Sequence, residues 1–82
     1  MYTVRWKRIA LDRVTELWLD AADRAEITAS VGEIDRLLAS HPQDAGESRS
    51  ESIRILFVAP LGVFFEVNDS TQTVHVLKAW SF

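Results

Sequence analysis

The sequence predicts an α+β domain in which two antiparallel helices pack on one face of a four-stranded antiparallel sheet, in the order β-α-α-β-β-β. Apolar residues alternate at the start of the chain, recur every three or four positions from about residue 8 to residue 40, and alternate again from Ser52 to Phe82. Two apolar helical stripes that cover one sheet face make a two-layer architecture. With 82 residues, we expect a single domain over residues 1–82.

The first strand and the helical hairpin are predicted from the change of period. Residues 2–7 alternate like a half-buried strand, and a first apolar helical stripe begins at Leu11. Asp23 is placed to cap a second helix, which the pair His41-Pro42 ends. The side chains that we expect to be largely buried between helices and sheet are Trp18, Val31, Ile34 and Leu38.

The second half of the chain predicts an antiparallel meander. Residues 42–51 are polar and rich in turn formers, which is typical of a surface loop. The three strands that follow cover residues 52–59, 61–67 and 73–82 and are joined by short connections. The first strand must join the same sheet, because a lone strand cannot satisfy its backbone hydrogen bonds.

Composition excludes several classes of function. The net charge of −3 opposes general attraction to nucleic acids, and no apolar run approaches the roughly 18 residues that cross a bilayer. The chain has no Cys, and its two His lie far apart, so we expect no metal and no organic cofactor. A strand-like start in place of a signal peptide favours the cytoplasm, with no membrane partner.

The candidate binding residues lie on the meander. If Arg54, Lys78 and Trp80 emerge on the sheet face that the helices leave uncovered, they form a cationic patch beside an aromatic ring, which Phe82 extends. Such a patch suits an acidic, amphipathic protein segment or a phosphate backbone. The alternative is structural: Trp80 and Phe82 cap the core, and the two cations solvate an open face.

Short stretches of the chain occur in a distinctive order: Tyr2–Trp6, Ala10–Leu17, Ile34–Leu38, Ser52–Leu56, Val63–Val67 and Val74–Trp80. In this order the chain resembles the RelE/ParE superfamily of toxins from type II toxin–antitoxin systems, also called plasmid-stabilisation proteins. The resemblance covers essentially the whole chain. It implies a cognate antitoxin as partner, and DNA gyrase or the ribosome as target.

The resemblance also implies candidate catalytic residues. RelE-type ribonucleases cleave mRNA on the ribosome with basic residues on the central strands and near the chain end, and Arg54 and Lys78 stand at such positions. Gly62 replaces a basic residue often found at the start of the third strand, and no Arg, His or Tyr follows Lys78. We therefore expect little or no mRNA cleavage.

Three functions stay open at this point. The first is a toxin that acts mainly by protein binding and is neutralised by an antitoxin, with a footprint at Arg54, Lys78, Trp80 and Phe82. The second is a RelE-like ribosome-dependent mRNA endoribonuclease. The third is a degenerate, non-toxic member of the superfamily that persists as a binding module.

Overall fold

The computed structural model describes residues 1–50 and 52–82, so position 51 of the predicted loop lies outside the described residues. Two helices and five strands follow one another in this part of the chain. In chain order they are β1 Thr3–Trp6, α1 Arg8–Asp20, α2 Arg24–Ser40, β2 Glu47–Ser48, β3 Ile53–Val58, β4 Leu61–Asn68 and β5 Thr73–Ser81. The α+β class and the helical hairpin on a sheet are confirmed.

The sheet differs from the prediction in two respects. Its order is β1-β5-β4-β3-β2, so the described residues form five strands, and β1 runs parallel to β5. The extra strand, β2, lies in the predicted loop and pairs with β3. Gly46 permits this return of the chain, because it has a φ of +69° and a Cβ there would collide with the carbonyl of Ile55. The predicted meander of β3, β4 and β5 is antiparallel, as expected.

Both helices lie on one side of the sheet and enclose the core. Asp23 caps α2 as predicted, accepting a 3.2 Å hydrogen bond from the backbone N–H of Glu26. The buried hydroxyl of Ser30 donates to the carbonyl of Val58 at 2.5 Å and so ties α2 to the C-terminal end of β3. The largest side chains of the helices and strands with no exposed surface come from α2, β4 and β5: Ile34, Leu38, Leu61, Val63, Phe65, Val74 and Val76.

Two of the four predicted core positions are only partly enclosed. Ile34 and Leu38 are fully buried, Val31 is half-buried, and Trp18 remains 37 % exposed. The small side chains Ala10 and Val14 point into the core from α1, and this helix packs against β5. Trp18 lies at the margin instead, where the Arg24 guanidinium stacks 4.4 Å from its ring centroid.

A β-bulge interrupts β5 at Leu77. Phe64 pairs with Lys78 and the next residue, Phe65, pairs with Val76, so Leu77 has no partner on β4. The inserted residue changes which positions face the helices: Val74 and Val76 do so before the bulge, and Ala79 does so after it. The predicted strict alternation through residues 73–82 is therefore wrong at this one position.

Asp69 holds the turn between β4 and β5 against the start of the chain. Its carboxylate accepts hydrogen bonds from the Tyr2 hydroxyl at 2.7 Å and from the Gln43 amide at 2.5 Å. The hydrogen bond to Asp69 raises the pKa of the Tyr2 phenol above its ordinary value. This contact fixes β1 beside β5 at the end of the sheet remote from the aromatic residues described next.

Candidate functional site

The side of the sheet opposite the helices, called here the open face, has no second layer in the described part of the chain. Register assigns its residues, because directly paired positions on neighbouring strands share a face. Three rows cross β3, β4 and β5 on this side. The rows are Phe57–Gly62–Trp80, Ile55–Phe64–Lys78 and Ile53–Glu66–His75.

Aromatic side chains meet at one end of the open face and are called here the aromatic cluster: Phe57, Phe64, Trp80 and Phe82. Phe57 meets Trp80 and Phe82 edge-to-face, with ring centroids 6.1 and 5.3 Å apart, and Phe64 lies 5.0 Å from Trp80. Phe57 is 53 % exposed and Phe82 is 65 % exposed. The cluster is thus ordered by its own ring contacts yet remains open to solvent.

Gly62 lets the indole of Trp80 lie close to the backbone of β4. The two residues are directly paired, and a Cβ on Gly62 would fall 2.7 Å from the Trp80 ring carbons. Any other residue at position 62 would lift or displace the ring. Gly62 stands where the resemblance to the superfamily implies a basic residue. Its role here is in packing, because it leaves space for Trp80, the central ring of the aromatic cluster.

Beside the aromatic cluster lies a shallow cavity of about 340 Å³, called here the open-face pocket. Its apolar lining comes from Ile53, Phe64 and Leu77. Arg49 and Lys78 line it as well, with Ser50, and supply its positive charge. The bulge contributes to the pocket, because it places Leu77 and Lys78 together on this side of β5.

Arg54 does not lie with Lys78, and the expectation that Arg54 emerges on the uncovered face is wrong. Arg54 pairs with Phe65, which is fully buried beneath the helices, so its side chain leaves β3 on the covered side. Its guanidinium donates to the carbonyls of Ala45 at 3.2 Å and Gly46 at 3.0 Å. These bonds hold the segment between α2 and β2, so the geometry gives Arg54 a structural task.

The structure thus brings together Lys78, Trp80 and Phe82 from the predicted footprint and separates Arg54 from them. The sequence reasoning missed Phe57, Phe64 and Arg49. The signal for the two phenylalanines was present, because each is next in sequence to buried strand residues. Phe57 follows Leu56, and Phe64 lies between Val63 and Phe65, so alternation places both rings on the other face. Arg49 had no such signal, because it reaches the open-face pocket from a loop.

Charge is distributed unequally between the two layers. The helices carry six acidic residues, Asp12, Glu16, Asp20, Glu26, Glu33 and Asp35, against four arginines. On the open face, Arg5, Arg49 and Lys78 outnumber Glu47 and Glu66. Within residues 1–50 and 52–82, neither Arg49 nor Lys78 forms an ion pair.

No group of three or more His, Asp or Glu side chains among the described residues could hold a metal ion. Neither α1 nor α2 combines the length and the apolar character that crossing a bilayer requires. The absence of a cofactor stays a prediction.

Several solved structures of toxin–antitoxin complexes and systems share the architecture of this chain. The toxin–antitoxin complex RelBE2 from Mycobacterium tuberculosis matches with a TM-score of 0.81 at 20% identity, covering 99% of this chain and 91% of that chain. The chromosomal ParDE toxin–antitoxin system of P. aeruginosa matches with a TM-score of 0.74 at 18% identity, covering 99% and 96%. The archaeal RelE–RelB complex from Pyrococcus horikoshii matches with a TM-score of 0.71 at 14% identity, covering 98% and 93%.

No model of a protein family and no curated protein sequence matches the chain. The structural matches show that the chain has the fold shared by the RelE and ParE toxins. The predicted likeness to that fold is confirmed.

Proposed function

We propose that this chain belongs to the RelE/ParE superfamily and is the toxin component of a type II toxin–antitoxin system. It acts in the cytoplasm mainly by binding another protein, and an antitoxin that covers the open face neutralises it. RelE and ParE structures, several of them in complex with antitoxins, share its fold. Residues 1–82 would form the single toxin domain.

The aromatic cluster is the observation that carries the proposal. Exposed aromatic surface is costly in water and is characteristic of protein interfaces. Here two phenylalanines more than half exposed flank a tryptophan at one end of a sheet face. A partner that buries these rings gains apolar contact without first reorganising them, because the ring contacts already fix their positions.

Charge indicates the chemistry of the antitoxin segment. Lys78 is exposed and adjoins Phe64 and Trp80, so carboxylates beside apolar side chains would complement this surface. DNA gyrase or the ribosome would be the cellular target. The remote position of Arg54 leaves Lys78 as the one predicted catalytic cation on the open face, which favours protein binding over mRNA cleavage.

Co-purification tests the antitoxin. The chain is expressed with the product of the adjoining reading frame, and the complex is isolated through a tag on that product. Phe82→Asp should weaken the complex by at least about tenfold, because it places a charge in an aromatic contact that the partner would bury. Leu19→Asp is the matched control, since Leu19 is also more than half exposed, at 55 %, but lies on α1. Equal retention of both variants would contradict the proposed surface.

Inducible expression in a bacterial host tests the activity. We expect growth arrest that co-expression of the partner relieves, with altered DNA supercoiling and without transcript cleavage. Cleavage that Lys78→Met abolishes would establish the ribonuclease instead. A chain that neither arrests growth nor binds the neighbouring product would be a non-toxic binding module, and the toxin proposal would fail.

A further inference from the structure

We infer that this chain associates with a second copy of itself through α1, as an antiparallel pair in which Leu11 of each copy packs beside Trp18 of the other. The surface belongs to the helical layer and lies on the side of the sheet away from the open face. The inference therefore goes beyond the proposed function and does not depend on it.

Helix α1 carries apolar side chains on more than one side. Ala10 and Val14 face the core, and Leu17 packs against it. A helix whose apolar surface extends beyond its core-facing stripe is typically buried on more than one side. Among the described residues, four of the seven large apolar side chains that are exposed also belong to α1: Ile9, Leu11, Trp18 and Leu19.

Leu11 and Trp18 lie on the same side of α1, because seven residues make almost two whole turns of an α-helix. Leu11 is 48 % exposed and Trp18 is 37 % exposed. Ile9 lies on the other side of the helix, beside Ala79 of β5. A two-fold axis midway between Leu11 and Trp18 would place each of them against the other residue of the second copy. One helix face thus offers both halves of a symmetric contact.

A groove of about 240 Å³ lies beside Trp18 and is called here the interhelical groove. Its lining comes from α1 and α2 and consists of Val14, Thr15, Trp18, Ile27, Thr28 and Val31. Both threonine hydroxyls already donate within their own helices, to the carbonyls of Leu11 and Arg24. Since a cavity of about 150 Å³ holds a benzene molecule, the groove has room for one Leu side chain. An aliphatic occupant would leave none of these polar groups unpaired.

The ring of Trp18 is held in place before a partner arrives. Its indole N–H donates to the Thr28 hydroxyl at 3.2 Å, and the Arg24 guanidinium stacks 4.4 Å from the ring centroid. A side chain that is already ordered loses little conformational entropy on binding, and tryptophan is enriched among the residues that dominate interface energies. Trp18 is therefore a suitable anchor for Leu11 of a second copy.

The charges at the two ends of α1 favour a second copy in antiparallel orientation. Lys7 and Arg8 stand at its N-terminus. Asp20 ends the helix, and Asp23 follows in the turn. This order opposes the helix macrodipole, which favours acidic residues at the start of a helix and basic residues at its end. Antiparallel packing would bring the basic end of each copy beside the acidic end of the other.

Contacts within the chain offset these end charges only in part. Arg8 pairs with Asp12 at 3.3 Å, but both side chains are exposed and such pairs are weak. Arg24 is the basic residue at the acidic end, and its guanidinium already donates to the carbonyls of Trp18 and Leu19. The two ends of α1 therefore keep opposite signs, as a self-complementary surface requires.

Sedimentation velocity of the chain alone, over a hundredfold range of concentration, tests the pair. A surface one helix wide is smaller than a standard interface, so we expect monomer at low concentration and dimer at high concentration. Leu11→Asp should weaken the association by at least about tenfold. Ile9→Asp is the matched control, because Ile9 is an exposed apolar residue on the other side of the same helix. A wild-type chain that stays monomeric throughout, or equal losses for both variants, would overturn the inference.

Lys7→Glu and Asp23→Asn test the antiparallel orientation. Each should weaken the dimer about threefold or more, with a smaller loss at high salt. Neither should lower the melting temperature of the monomer, because Glu is favourable at a helix N-terminus and Asn still caps α2. Thermal denaturation at a concentration where the chain is monomeric checks this point. Unchanged association of both variants would overturn the antiparallel pair.

These results are separable from a failure of the proposed function. Leu11→Asp should still co-purify with the product of the adjoining reading frame, because the antitoxin covers the open face. Loss of that co-purification would mean that the interhelical groove holds the antitoxin, and would overturn the inference. A chain that dimerises through α1 and binds no neighbouring product would support the inference while the toxin proposal fails.

Discussion

The two faces of the sheet are built from the same strands but differ in how deeply their side chains are buried and in which residue types they carry. On the covered face, Val63, Phe65, Val74 and Val76 have no exposed surface. On the open face, each of the rows that cross β3, β4 and β5 contains a partly exposed residue, and large aromatic rings stand beside cations. The covered face stabilises the fold, whereas the open face retains apolar surface that the fold alone does not use.

An aromatic side chain is not necessarily a buried one in this molecule. Phe64 and Phe65 are neighbours in sequence, yet one lines the open-face pocket and the other is sealed beneath the helices. The residue type alone therefore does not indicate whether a side chain packs in the core or lies on the open face, and the strand register is needed to decide between them. Four predictions sharpen or break this distinction.

The largest effect is expected from Phe65→Ala. Because Phe65 is fully buried, its truncation should lower the free energy of unfolding by about 3–5 kcal/mol, through lost transfer free energy and a cavity. Phe64→Ala should cost no more than about 2 kcal/mol, because that ring is already partly in water. Urea denaturation of both variants measures the difference. Equal losses would show that the open face carries as much of the stability as the covered face.

The second effect belongs to Gly62→Ala. The new Cβ would lie 2.7 Å from the Trp80 ring, so we expect the indole to be displaced at a cost of about 1–3 kcal/mol. In a Trp80→Ala background the same change should cost far less, since the obstructing ring is gone. A double-mutant cycle by thermal denaturation measures this coupling. Additive losses would mean that the ring does not rest on Gly62.

The third prediction separates the two cations. Arg54→Met should lower the free energy of unfolding by about 1.5–3 kcal/mol, because two backbone carbonyls lose their charged donor. Lys78→Met should leave stability nearly unchanged and weaken partner binding, because Lys78 is exposed on the open face. Denaturation and partner affinity are measured on both variants. A binding loss for Arg54→Met without a stability loss would return Arg54 to the binding footprint.

The smallest effect concerns the outer surface of the helices. Arg36 donates to Glu33 and lowers the pKa of that carboxyl below its ordinary value of 4.5. The contribution of this pair is therefore present above that value and is lost as the pH falls through the pKa of the folded state. The melting temperature of Glu33→Gln should be slightly below that of wild type at pH 7 and equal to it at low pH. A difference that grows on acidification would reverse this sign.

Much of the fold could be predicted, because periodicity reports burial directly. The helices, the cap at Asp23 and the three-stranded meander all follow from apolar spacing and local hydrogen bonding. The parallel pairing of β1 could not be predicted, because a pattern of side chains does not record strand direction. The strand β2 depends on a backbone turn at Gly46 and has no apolar alternation of its own.

The candidate site was predicted in part, and the limit is again physical. Parity correctly places Arg54 opposite Ile53 and Ile55, but parity alone does not say which of the two faces the helices cover. The helices cover the face that carries Leu56, Val63 and Phe65, and Arg54 lies on that same face. Lys78, Trp80 and Phe82 lie beyond the bulge, where counting from Val74 would assign Lys78 and Trp80 to the covered side.

The bulge at Leu77 reverses the relation between residue number and sheet face along β5. Before the bulge, the even-numbered Val74 and Val76 face the helices, whereas after it the odd-numbered Ala79 does so. If Leu77 instead paired regularly with Phe64, Lys78 and Trp80 would turn inward and Ala79 outward, which would harm packing and recognition together. Deletion of Leu77 would leave Lys78, Ala79 and Trp80 on their present sides, because Val76 and Lys78 would then follow one another in a regular ladder. The faces of β5 therefore depend on Leu77 remaining outside the ladder, and its removal is a change of length that the strand can accept without exchanging its two faces.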